Sequence, residues 1–244
     1  MIGLHAEIEI KSLIPLSGTH LRCACLCANR CKEIEQEFID ENTTIDENDL
    51  CQEDIAYATG AVISSIAFLE SSINEFFQDF FHDFDNLKVN KLDSLMNLKQ
   101  TWDENNETIL WYKLDKKYEI TYKEILGKTS YKNSKTYDRF KNLIYLRNLL
   151  VHFKAKWQTT DPKEDNQYRI KHLRKQFKEN TFMEKTGNSY FPKKCLGAGC
   201  AEWSIIVSTE FLAMFSNELS CYDIDLQLRT NVNKILQQYS FKTN

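Results

Sequence analysis

Arg147, Asn148 and His152 fall within about two helical turns of each other in the stretch Tyr145-Leu-Arg-Asn-Leu-Leu-Val-His-Phe-Lys154. A guanidinium stays charged at any cellular pH and offers a fork of donors to phosphate oxygens. An imidazole can serve as general acid or base near neutrality. A side-chain amide between them can fix a ring tautomer or hold a phosphate oxygen. Together the three can bind a phosphate, orient it and move a proton, chemistry that needs no metal and no cofactor. From the composition, an Arg followed by His four to six residues later is expected roughly 0.4 times by chance. Requiring Asn directly after the Arg, with four intervening residues, lowers that to about 0.01.

The element that must hold these groups is a helix predicted over about 135–157, with Ser134 as its N-cap. On it Leu143, Leu146, Leu150, Phe153 and Trp157 form one core-facing stripe. Asn148 and His152 are i and i+4 on the far side, and Arg147 lies between the two faces. Ile144, Val151 and Ala155 surround the Asn-His pair, so the helix is expected to pack on two sides. Its second partner is either another helix of this chain or a symmetry mate, which would bring two copies of the group together across a two-fold interface. In the plain structural reading, His152 is a satisfied helix histidine and Arg147 a surface ion-pair partner.

The remaining segments read as further helices. Seven Gly and three Pro in 244 residues leave little for the turns of a β-sandwich or barrel. Helices are predicted near 20–39, 51–84, 91–102 and 118–126, then from about 167, at 200–219 and at 223–239. The second has the clearest rhythm, with Val62, Ile66, Leu69, Ile73, Phe76, Phe77, Phe80 and Phe84 on one stripe. Gly127-Lys128 reads as a polar turn, and Asp161-Pro162 as the break after the motif helix. Residues 2–10 alternate apolar and polar, which suits a short strand or extended arm. The expected fold is all-α: a single-domain antiparallel helical bundle with an irregular or short-strand N-terminal arm. Residues 1–50 would be that arm and an acidic helix packed on the main helical unit, 51–244.

Charge is unevenly placed. Residues 1–55 hold 12 acidic and 4 basic side chains, whereas 141–180 hold 10 basic and 4 acidic. The basic segment carries the motif, as RNA binding would require, and makes Lys154 and Lys156 candidate substrate contacts. The acidic part is expected to face away from nucleic acid or to shield the site. Glu7, Glu9 and Lys11 interrupt the first twenty residues, which predicts no signal peptide. No run approaches the roughly 18 consecutive apolar residues of a membrane span, so a soluble, cytoplasmic protein without membrane contact is expected. Eight cysteines then read as reduced thiols. His20, Cys23, Cys27 and Cys31 fall on one helical stripe expected to pack in the core, with Cys25 about 160° away. The alternative is a zinc site, although the spacings do not match known ligand patterns.

Leu146-Arg-Asn-Leu-Leu-Val-His-Phe153 resembles the signature of HEPN domains, an all-α family defined by Arg, four to six residues, then His. Ala56-Tyr-Ala-Thr-Gly-Ala-Val-Ile-Ser-Ser-Ile-Ala-Phe-Leu-Glu-Ser-Ser-Ile-Asn-Glu75 is similar to the first long core helix of bacterial members. Lys194-Cys-Leu-Gly-Ala-Gly-Cys-Ala-Glu-Trp203 also resembles their entry into a late helix. The resemblance covers about 51–157, extends less closely to about 219, and leaves 1–50 outside. It implies a dimeric, metal-independent endoribonuclease of the toxin–antitoxin or phage-defence kind, acting on RNA and often alongside an antitoxin or companion protein. Under it His152 is the acid/base, Arg147 clamps the transition state and Asn148 positions the phosphate, with Glu70 and Glu75 as supporting residues. Many relatives bind nucleic acid or nucleotide, or act as scaffolds, without cutting. A helical interaction protein in which the motif is only structural is the third reading.

Overall fold

The computed structural model describes residues 13–40, 46–82, 84, 92–128, 130–154, 168–220 and 231–241. The N-terminal arm predicted at 2–10, the Asp161-Pro162 break, Lys156 and Trp157 lie outside them. All regular elements among the described residues are helical. The α-helices are α1 (Ser17–Ile39), α2 (Glu47–His82), α3 (Leu92–Leu110), α4 (Leu114–Ile120), α5 (Lys135–Val151), α6 (Tyr168–Leu173), α7 (Ala198–Ser220) and α8 (Val232–Gln238), with short 3-10 or π turns between some of them. The expected all-α architecture is therefore what the chain forms. Position 50, the expected boundary of the N-terminal part, falls inside α2.

The strongest sequence rhythm builds the centre. Val62, Ile66, Leu69, Ile73, Phe76, Phe77 and Phe80 of α2 are buried, and Phe84 packs at the edge of the same core. The helix buries further side chains off that stripe, among them Ala58, Ala61, Ser65 and Phe68, because it is covered from several sides. α1 covers it most extensively and α7 next, where the Ser65 and Ser204 hydroxyls, 3.1 Å apart, let the two helices approach closely. The pairs Ser65–Ser204 and Phe76–Phe215 advance together, so α2 and α7 run parallel. Phe140 stacks on Phe211 at 3.8 Å while Ser134 donates to Met214, so α5 runs antiparallel to both. α1 is antiparallel to α2: Ser17 meets Glu75 at one end, and Cys31 meets Asp54 at the other.

Two helix starts are capped from a distance. α1 has no side-chain cap of its own; Glu75 Oε1 instead accepts from the Leu16 and Ser17 N–H groups, both at 2.9 Å. Glu35 Oε1 does the same for Ala198 N at 2.8 Å, at the start of α7. That contact needs Gly197, where a Cβ would lie 2.7 Å from Glu35 Oε1 and 2.9 Å from Asn180 Cα. Each carboxylate satisfies donors a helix start cannot pair internally and adds charge at its positive end.

Three expectations need correction. The motif helix ends at Val151, short of 157, because its core stripe runs out: Leu143 and Leu146 are fully buried, Leu150 partly, and Phe153 is 50 % exposed. A helix is held mainly by packing of its apolar face, and past Leu150 little of that face is covered. The cysteine stripe of α1 also lies one step off. Cys25 and Cys31 are buried, Cys27 half-buried and Cys23 exposed, since the inner face is Leu21, Ala24, Cys25, Ala28, Cys31 and Ile34. Finally, α2 and α7 are both long and apolar enough, by length and composition, to cross a membrane. Mean hydropathy over a window tolerates the few charges that break a continuous apolar run. About half of each window, 50 % and 56 %, is buried inside this fold.

Candidate functional site

Ser134 caps α5 as expected, its hydroxyl accepting from Tyr137 N at 3.1 Å. Phe140, Leu143 and Leu146 then anchor the helix in the core, and Arg139 pairs with Glu210 of α7. These contacts fix the rotation of α5, and the rotation decides where the motif points. Asn148 is exposed and Arg147 half-buried. His152 is the residue after the last helical turn, with φ −109° and ψ 31°, and its N–H donates to Asn148 O at 3.0 Å. It is exposed, as are Val151, Phe153 and Lys154. Among the described residues the side chains of Arg147, Asn148 and His152 make no hydrogen bond or ion pair with the rest of the chain. The plain structural reading required such partners.

Tyr145, Asn148 and His152 are i, i+3 and i+7, so they share one face of α5. The Arg169 guanidinium of α6 lies over the Tyr145 ring, 5.4 Å from its centroid. At the helix end the Phe153 ring faces Phe191 at 6.1 Å. The Asn148–His152 strip thus has α6 on one flank and the 190–194 segment beyond it, while Arg147 lies on the opposite flank. Lys154 continues from the same end.

Glu70 and Glu75 have other tasks. Glu70 holds the ammonium of Lys117, which is wholly buried and also donates to Asn74 Oδ1. Glu75 caps α1, and neither carboxylate bonds to the motif. The helix register explains why. With Phe140 level with Phe211, His152 falls near the start of α7 and near residue 60 of α2. At 1.5 Å per residue this leaves Glu70 roughly 15 Å and Glu75 roughly 20 Å away along the bundle.

A second polar group occupies this same end but lies inside it. Asp54 is fully buried; its Oδ2 accepts from Asn180 Nδ2 at 2.8 Å, while its Oδ1 has no partner. Asn180 Nδ2 also donates to Leu196 O at 2.6 Å, and its Oδ1 accepts from Phe182 N at 2.9 Å. Cys31 Sγ donates to Asp54 O at 3.4 Å, and Thr181 donates to Glu35. Burial, then the nearby Glu35 carboxylate, push the Asp54 carboxyl up to about 8. Burial likewise raises the Cys31 and Cys200 thiols, which disfavours their thiolates. Among the described residues no three His, Cys, Asp or Glu side chains form a group that could hold a metal. Sequence reading missed this cluster, because Asp54 sits in an acidic stretch that reads as solvated, and nothing local pairs it with Asn180.

No family model, curated protein or solved structure matches this chain. Its site is therefore read from its own residues.

Proposed function

We propose that this protein is a metal-independent endoribonuclease of the HEPN kind, acting in the cytoplasm as a homodimer. His152 removes the proton from a ribose 2′-hydroxyl, and that oxygen attacks the adjacent phosphorus. The bond from phosphorus to the 5′-oxygen breaks, the leaving oxygen takes up a proton, and a 2′,3′-cyclic phosphate and a 5′-hydroxyl remain. Arg147 holds the non-bridging oxygens as their charge grows, and Asn148 positions the phosphate. The observation that supports this reading is that Asn148 and His152 are exposed and Arg147 half-buried at the end of a well-anchored helix, their side chains without an intramolecular partner among the described residues. Val151 and Phe153, 52 % and 50 % exposed beside them, favour a second copy of the chain against this face, which would bring two motifs together. A toxin–antitoxin or phage-defence setting, with a companion protein restraining the activity, belongs to the same proposal.

The test is incubation of wild type and His152→Ala protein with a mixed RNA pool in EDTA, followed by end-group analysis. Cyclic phosphate ends from wild type alone are expected, and DNA, lacking the 2′-hydroxyl, stays intact. The exposed apolar pair also favours a second reading, a non-catalytic RNA- or nucleotide-binding or scaffolding module that works through a partner. Under that reading both proteins are folded and dimeric, neither cuts, and Arg147→Ala lowers affinity.

A further inference from the structure

We infer that Arg169, Lys171 and Lys175 form the track that carries the phosphate backbone of single-stranded RNA up to Asn148 and His152. This inference rests on the ribonuclease reading and adds to it the surface that delivers the substrate. It starts from an electrostatic problem at the motif. Asn148 and His152 sit at the C-terminal end of α5, where unpaired carbonyls and the helix dipole give a negative field. Anion sites usually lie at the opposite end of a helix, where N–H groups point outward. A phosphate brought to this end must therefore be held by cationic side chains.

α6 and the turn after it carry them. Ile170 and Leu173 are buried and dock the helix, while Arg169, Lys171 and Lys175 are exposed. Residues 168–178 carry five Arg or Lys side chains and no carboxylate. Among the described residues Arg169, Lys171 and Lys175 have no carboxylate partner, whereas Lys128, Lys132, Arg139 and Lys141 are each ion-paired. The stacking of Arg169 on Tyr145 sets the direction, because Tyr145 shares its helix face with Asn148 and His152. Arg169 is held beside that face, and the exposed Lys171 and Lys175, two and six residues further on and also without a carboxylate partner among the described residues, extend the positive charge along the surface, which suits an extended polyanion. RNA is the polyanion that the motif's chemistry selects, through the 2′-hydroxyl.

Binding of a labelled single-stranded RNA to full-length His152→Ala protein, measured across salt concentrations, tests this without turnover. Each phosphate contact contributes about −0.7 to the slope of log K against log salt for single strands. Adding Arg169→Ala, Lys171→Ala and Lys175→Ala should flatten the slope by about 2 and weaken binding alike for all sequences. Since Arg169 also packs on Tyr145, the pair Lys171→Gln with Lys175→Gln, which leaves that contact intact, should flatten it by about 1.4. With His152 restored, the same pair should raise KM for cleavage and leave kcat unchanged. Deoxyribonucleotide strands should bind through the same track and remain uncut. Binding with an unchanged slope in both variants, while wild type cuts RNA, overturns the track and leaves the ribonuclease standing. Failure of wild type to cut and of His152→Ala to bind overturns both.

Discussion

The Asp54–Asn180 cluster and the Arg147–Asn148–His152 group share one end of the bundle and treat polar side chains in opposite ways. In the cluster the groups are buried, and their bonds tie α2 to the segment that leads into α7. In the motif the side chains are exposed or half-buried and, among the described residues, unbonded, although the helix beneath them is anchored by three fully buried side chains. A buried polar group is explained by the fold that satisfies it. Exposed polar groups with no internal partner among the described residues are hydrated instead, and stay available to a ligand. The difference separates a region that the fold consumes from one that it presents.

The contrast breaks most sharply if the wrong region proves structural. Asn180→Ala removes two donated bonds and one accepted bond and leaves Asp54 buried without its donor. It should cost about 2–4 kcal/mol, read as a large drop in Tm. Arg147→Ala and His152→Ala should stay within about 0.5 kcal/mol of wild type while RNA cleavage falls by at least about 100-fold. Equal Tm losses for the two sets would erase the distinction. Gly197→Ala comes next, at about 1–3 kcal/mol by thermal unfolding, because the new methyl has to displace Glu35 or the Asn180 backbone.

The pH dependence of the cluster is sharper still as a diagnostic. Asp54 holds its proton up to about pH 8 in the fold and has an ordinary value of 3.8. Below the ordinary value it is neutral in both folded and unfolded chains and contributes no slope. Between the two values the unfolded chain ionises first, so stability falls as pH rises, by up to about 1.4 kcal/mol per unit from this group. Above about 8 its contribution is flat at its least favourable. Asp54→Asn keeps an acceptor for Asn180 Nδ2 and removes the ionisation. Denaturant melts between pH 4 and 8 should show a shallower decline for the variant, and an unchanged decline would place the titration elsewhere.

Much of this architecture was legible in the chain. The α2 stripe, the Ser134 cap and the all-α class follow from periodicity and capping chemistry, which are local properties. The end of α5 was not legible, because its apolar pattern continues past Leu150 while the core beneath it stops. Nor was the inner face of α1: Cys23 and Cys25 are equally buryable, and only contact with α2 and α7 chooses between them. For the candidate site, sequence brought Arg147, Asn148 and His152 to one helix end, and the fold left Asn148 and His152 exposed there and Arg147 half-buried. Arg169 escaped notice because its link to Tyr145 joins residues 24 positions apart. Lys117 did so because a buried lysine in a charged stretch looks solvated until Glu70 and Asn74 are found around it.

The smallest effect is expected at Glu75, where sequence and structure assign different work. As a support for the motif, its loss would lower cleavage and leave folding alone. As the cap of α1 it does the reverse, because its carboxylate accepts from Leu16 N, Ser17 N and, at 2.7 Å, the Ser17 hydroxyl. Glu75→Gln keeps one oxygen for the two backbone donors, and its amide can donate to the Ser17 hydroxyl, so only the charge at the helix start is lost. A cost of about 0.3–1 kcal/mol, smaller at high salt, should appear in thermal unfolding, with kcat and KM unchanged. Glu75→Ala removes the acceptor altogether and should cost about 1–2 kcal/mol, again with cleavage intact. A fall in kcat in either variant at unchanged Tm would return Glu75 to the site, and would mean that the register placing it roughly 20 Å from His152 is not the one in which the protein acts.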